Sequence, residues 1–360
     1  MRAIVRPVPL DDGRRLAWDA FCDAQPDAWV YHTTAWLDYA ADSRFGVEST
    51  DLSWLLTDES EEILAIVPLV REEIDGVAQL TCSGEPTPAV VFSAALGAKR
   101  RRAAERIVFD EYARLANENG VARIVLREGN RLQRGTADDS LVLARHGYLD
   151  VSVPTAVVDL RGDDSELLSR MRNDHRNSVK RSLREGLEVV LHESGTDAAT
   201  FARFRADYTR AAGRQTRPDN TFERLFEMLG RGLGILCESL DAGATTAWAY
   251  LLVYKDYAYY ALACRNEGVG RAGSHILQWQ AMRRLRDRGL RWYELGAQYF
   301  APTVAHPVDA KALSISEFKR GFGDLFVTAP TGERFLSRDF LEATVRDRAG
   351  RYADLAGLRP

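Results

Sequence analysis

"AMRRLRDRGLRWYEL", residues 281–295, passes from helix to strand across a single glycine. Met282 and Leu285 sit three apart among charged side chains, the spacing of an apolar helix stripe. Gly289 stops the helix, and "LRWYEL" reads as an apolar strand. The same grammar occurs earlier in "YARLANENGVARIVL", residues 112–126. Tyr112, Leu115 and Ala116 mark the helix there, Gly120 ends it, and the strand follows. Two copies of helix, glycine and strand predict a duplicated α/β unit.

Each copy closes a strand-rich stretch. In the first half, "SWLLTD" (53–58) and "EILAIVPLVRE" (62–72) read as two strands joined by an acidic turn. Further short strands follow over 77–84 and 88–94, then a helix over 99–120. In the second half, "LGILCES", "TTAWAYLLVYK" and "YAYYALACR" form a meander, with turns at Asp241 to Gly243 and at Lys255-Asp256. Ser274 is a candidate N-cap for the helix that follows. A chain of 360 residues is long for one core, so two domains are expected. The expected boundaries are 1–153 and 154–327, with 328–360 packing back on the first domain.

Between the halves lies "DDSELLSRMRNDHRNSVKRSLREGLEVVL", residues 163–191. Asp163 or Asp164 can cap a helix whose apolar stripe is Leu167, Leu168, Met171, Val179 and Leu183. Arg172, Arg176, Lys180 and Arg184 fall four apart and form one cationic ridge. A solvated face usually mixes signs to gain pairs along the helix. From Arg170 to Arg184 the only acid is Asp174, so the ridge reads either as a solvated face or as a phosphate-binding surface.

The net charge of −4 argues against wholesale coating of nucleic acid, though not against a local basic patch. No stretch approaches the roughly 18–20 apolar residues of a membrane span. The start, "MRAIVRPVPLDDGRR", lacks the pattern of a secretory signal. Cys22, Cys82, Cys237 and Cys264 are scattered and read as reduced thiols, so a cytoplasmic protein is expected. The six histidines show no metal-ligand spacing, and neither a GxSxG elbow nor a GxxxxGK[ST] loop occurs. "RNEGVG", with Arg265, Gly268 and Gly270, precedes the 274–289 helix. It fits a short pyrophosphate loop of acetyltransferases, and equally a glycine-rich turn that only starts a helix.

Three passages, in order, resemble the FemABX-like transferases of the GNAT superfamily. "MRNDHRNSVKRSLREGLEVV" looks like their arginine-rich linker helix, "GSHILQWQAMRRLRDRGLRWYELGA" like their second-domain helix and strand, and "SEFKRGFG" like their terminal Phe-Lys-x-Gly-Phe-Gly signature. The match runs from about Val157 to Val327 and is fainter before it. A long helical hairpin found in some members is missing here.

The resemblance implies two tandem GNAT-like domains, mixed sheets flanked by helices, with substrates in a cleft between them. It implies amide-bond formation from an activated acyl donor. The donor is aminoacyl-tRNA, or acyl-CoA in relatives; the acceptor is an amine on a peptide or cell-wall precursor. No permanently bound cofactor is implied. A non-catalytic nucleotide- or RNA-binding protein is the remaining alternative.

Lys319 matches the family's lysine that meets the oxyanion, with Phe318 walling the site. Glu294 ends a strand at the functional side of an α/β sheet and could take the amine proton; a route without a protein base is equally open. Arg172, Arg176 and Lys180 would hold substrate phosphates. Tyr299 opens the long connection 296–312, a candidate lid that would touch substrate.

Overall fold

A computed structural model describes residues 5–42, 44–82, 85–130, 132 and 142–358. The chain divides into two compact units. One comprises Met1–Val153, Ala301–Asp309 and Thr328–Pro360; the other comprises Pro154–Phe300 and Ala310–Val327. The segment Ala301–Asp309 thus groups with the first unit, although it lies within the second in sequence.

The second unit is built on one seven-stranded sheet. Its order is Glu188–His192, Gly234–Asp241, Ala244–Tyr254, Tyr257–Arg265, Trp292–Ala297, Pro154–Asp159 and Leu325–Thr328. The meander is antiparallel, and its first hairpin places Ala242 and Gly243 at φ of 48° and 81°, as a tight turn requires. The chain then crosses through the helix Ser274–Asp287, so that Trp292–Ala297 lies parallel to Tyr257–Arg265. Ile276, Leu277, Trp279, Met282 and Leu285 of that helix join the sheet's core.

The first unit repeats this plan. Glu48–Asp51, Val70–Ile74 and Val77–Leu80 pair antiparallel, the helix Ala98–Glu118 crosses, and Arg123–Arg127 returns parallel to Val77–Leu80. An antiparallel strand pairs with the strand after the crossover in each sheet: Thr331–Phe335 in the first unit, Pro154–Asp159 in the second. Over these five strands of each sheet, order and direction agree. This is the duplicated α/β plan expected from the two helix, glycine and strand passages.

Two elements differ from the sequence reading. "EILAIVPLVRE" is not one strand. Ile63–Val67 pairs with Trp54–Thr57 in a separate four-stranded sheet, while Val70–Ile74 belongs to the larger one. Pro68 stands at the break, with no N–H to donate to a continuous ladder. In the neighbouring expected strand, described over Val77–Leu80, residues 83 and 84 lie outside the described residues.

The linker is also not one helix. Asp164–Arg170 carries a capping box between Asp163 and Glu166, and Asn173–Arg184 follows after a break. Met171 and Arg172 are extended, with ψ of 147° and 145°. The Arg172 N–H donates to the Gly321 carbonyl at 3.0 Å instead of to a helical carbonyl. Met171 keeps its place in the core, but Arg172 caps the second helix and is not part of the ridge.

Candidate active site

The parallel ladder between Tyr257–Arg265 and Trp292–Ala297 lasts three pairs: Tyr257 with Trp292, Ala258 with Tyr293, Tyr259 with Glu294. Past that point the strands part. Parting strands leave backbone donors and acceptors along the facing edges in need of partners.

Lys319 reaches this place from the last turn of the helix Ala310–Arg320, where the helix dipole favours a cation. Its Nζ lies 3.0 Å from where a Cβ on Gly296 would stand, and 5.8 Å from the centre of the Tyr260 ring. Both residues lie beyond the last ladder pair. Gly296 has φ of 95°, so a side chain there would be strained as well as crowded. Burial lowers the Lys319 ammonium to about 8, against an upward pull from the charge of Glu294.

Glu294 is buried on the strand. Its Oε1 accepts from the Thr155 hydroxyl at 2.6 Å and its Oε2 from the Tyr257 hydroxyl at 2.8 Å. Both oxygens are engaged, which fixes the orientation of the carboxylate.

The turn that follows Lys319 is locked onto the linker. His175, buried in the first turn of Asn173–Arg184, donates from Nε2 to the Phe318 carbonyl at 2.8 Å. A Cβ on Gly321 would overlap the His175 ring, so only glycine permits this approach. The rings of His175, His275, Phe318 and Phe322 form one cluster, with centroids 4.6–5.8 Å apart. Burial pushes His275 down to about 4, with the neighbouring His175 adding to the shift. Phe318 therefore packs its ring against two histidines and presents its carbonyl to one of them.

The start of the long connection is tied to the same helix. The Tyr299 N–H donates to Ser316 Oγ at 3.2 Å, and Arg320 donates to the Tyr299 carbonyl at 3.0 Å. Gln298, 1% exposed, donates from Nε2 to the carbonyls of Gly296 and Ala297 at 3.0 and 3.1 Å. Among the described residues no donor reaches its Oε1.

Lys319, Glu294, Phe318 and Tyr299 thus gather around the end of one strand, and Arg172 joins them through Gly321. Arg172 is already paired, with Asp174 at 2.8 Å and Glu317 at 3.6 Å. Arg176 is bound to Asn173. Lys180, Arg181 and Arg184 are exposed and have no ion-pair partner among the described residues. Arg265, Gly268 and Gly270 occupy the loop before Ser274–Asp287, where Arg265 lies 3.8 Å from Glu267. Sequence reasoning missed His175, His275, Gly296 and Gln298. The one available signal was the histidine inside the linker motif itself.

Residues 169–306 match the acetyltransferase (GNAT) domain family. That match falls almost wholly on the second unit. No curated protein matches the chain. Its fold is that of FemX, with a TM-score of 0.68 at 13% identity over 94% of this chain and 100% of that one. L-PGS from Bacillus licheniformis follows with a TM-score of 0.59 at 12% identity, covering 95% and 98%. A tandem GNAT protein from the clavulanic acid biosynthesis pathway gives 0.52 at 14%, covering 93% and 99%. The FemABX-like architecture expected from the linker helix and the "FKRGFG" motif is therefore present.

Proposed function

We propose that this protein forms an amide bond by moving an aminoacyl group from aminoacyl-tRNA to the amine of a peptide or cell-wall-precursor-like acceptor. The observation that carries the reading is the Lys319 ammonium, withdrawn from water where the two parallel strands part. A cation held there costs free energy in the resting protein, and acyl transfer gives it a use. The amine nitrogen bonds to the ester carbonyl carbon, the carbonyl oxygen takes up negative charge, and the carbon–oxygen bond to the ribose then breaks. The amine proton leaves with the ribose oxygen. A preorganised cation at the oxyanion is worth about 3 kcal/mol or more in the transition state.

The other residues divide the remaining work. Glu294, oriented by Thr155 and Tyr257, holds Lys319 electrostatically. Gln298 Oε1 offers an acceptor to the incoming amine, since a buried amide oxygen without a donor costs about 1–3 kcal/mol that such an N–H would recover. Phe318 and Tyr299 border the acyl group. Lys180 and Arg184 meet phosphates of the donor, with Arg176 and Arg172 nearer the turn.

The test offers charged tRNA and acetyl-CoA separately, with a lysine-bearing peptide as acceptor. Amide product from charged tRNA, lost in Lys319→Met, supports the reading. Product from acetyl-CoA alone replaces it with a CoA-dependent acyltransferase. Tight tRNA binding with no product from either donor replaces it with an RNA-binding role.

A further inference from the structure

The "RNEGVG" loop sits where a GNAT domain can receive a phosphate-bearing donor, after the strand Tyr257–Arg265 and before the helix Ser274–Asp287. In this protein an internal carboxylate lies against the end of that loop. Asp241, at the end of the strand Gly234–Asp241, accepts the backbone N–H of Arg271 at 2.8 Å through Oδ2. The Arg271 guanidinium closes on the same carboxylate, with Nε 3.1 Å from Oδ2 and Nη2 2.5 Å from Oδ1. Glu185 adds a second acid, 3.6 Å from Arg271 Nη1.

The loop is pressed onto the hairpin that bears Asp241. A Cβ on Gly270 would stand 2.8 Å from Asp241 Oδ2, and one on Gly273 would overlap the hydroxyls of Ser239 and Thr246. The two glycines thus permit close packing against this chain's own side chains. Arg271 holds the Asp241 carboxyl down to about 2, so the anion is present at every working pH.

We infer that Asp241 is a specificity-determining residue that fills the loop's anion position and shuts out donors carried on a pyrophosphate, such as coenzyme A. A pyrophosphate would need the Arg271 amide and guanidinium that Asp241 holds, and would meet a fixed like charge at that spot. The inference narrows the donor within the acyl-transfer reading and rests on it for its setting, but its test is binding and needs no turnover.

Isothermal titration of the full chain with coenzyme A and with inorganic pyrophosphate decides it. The wild type is expected to bind neither at millimolar concentration. Asp241→Ala, which frees both groups of Arg271, should gain at least tenfold in affinity for each, with the two ligands competing and salt weakening both. Asp241→Asn keeps the shape and removes the charge. It should gain less, and it decides the matter if the alanine variant melts early. Pyrophosphate-competed binding of coenzyme A by the wild type overturns the inference, and so does the absence of any gain in both folded variants. A variant that gains binding in a protein inactive with every acyl donor would keep the inference and remove the acyl-transfer reading.

Discussion

Replacing Lys319 by methionine should make the protein both slower and more stable. The substitution keeps most of the aliphatic stem and removes the charge. In the folded protein the ammonium sits at about 8, against 10.5 for the free side chain. The attraction of Glu294 is already contained in that lowering, so the net effect of burial at neutral pH is unfavourable. A lowering of this size corresponds to about 3 kcal/mol, at roughly 1.4 kcal/mol for each pH unit. The sign follows from proton counts. Between the folded and unfolded values the unfolded chain binds more protons, so wild-type stability rises with pH across that window.

At pH 7 the methionine variant is free of this cost and should melt higher, by roughly 2–4 °C for each kcal/mol in a unit of this size. At pH 10 the wild-type lysine is mostly neutral when folded, and the gap should shrink to less than about 1 kcal/mol. Single-turnover kinetics should show the opposite face of the trade. The rate should fall by roughly a hundredfold or more, with little change in substrate binding. Wild-type activity itself should decline as pH rises through about 8, as the cation is lost. The checks are melting curves at pH 7 and 10 beside rapid-quench rates. A methionine variant that melts well below wild type would show that the lysine is a structural anchor. A wild-type rate would show that its charge does not act on the oxyanion.

Three further outcomes are expected. Gly321→Ala should destabilise by roughly 1–3 kcal/mol, because the new methyl overlaps a histidine that the Phe318 carbonyl holds in place; a denaturant midpoint reads it. His275, buried and lowered from 6.5 to about 4, should contribute stability that is lost as pH falls from 6.5 towards 4; His275→Gln should flatten that part of the melting profile. Lys180→Glu with Arg184→Glu should weaken tRNA binding and reduce the log–log salt slope by roughly 1–2, whereas an unchanged slope would return the ridge to a solvated face.

The sequence was most informative where the decisive signal was local. Helix, glycine and strand could be read twice because each rests on short-range periodicity and on one residue that tolerates positive φ. Pro68 could have been read as a break, since its missing N–H is visible in the sequence alone. The break at Met171 and Arg172 could not. No glycine or proline marks it, and its cause is the carbonyl of Gly321, far along the chain. The same holds for Asp241. Nothing near it in sequence shows that its carboxylate would close on Arg271. Lys319 was visible only through its motif. What the motif could not convey was the burial that lowers its affinity for a proton, because that depends on Gly296 and Tyr260 from two other strands.

On the proposed reading, the duplication explains why the chemistry falls to the second unit. In both units a parallel pair of strands begins together and then parts. In the first unit Val77–Leu80 leaves Arg123–Arg127 after Leu80 meets Ile124. The chain then turns back, and Thr87–Pro88 takes up the abandoned edge, pairing parallel with Leu126 and Arg127. The Ala89 N–H continues the seam to the Arg127 carbonyl at 2.8 Å. The gap is thereby filled with backbone. In the second unit no strand returns after Tyr259 parts from Glu294 among the described residues, and what occupies the corresponding place is the ammonium of Lys319 beside Gly296. A backbone-filled seam satisfies its own donors and acceptors and has nothing left to offer a substrate. A seam that ends in a half-buried cation has an unspent charge, and under the proposed function that asymmetry is what gives the acyl transfer to the second unit.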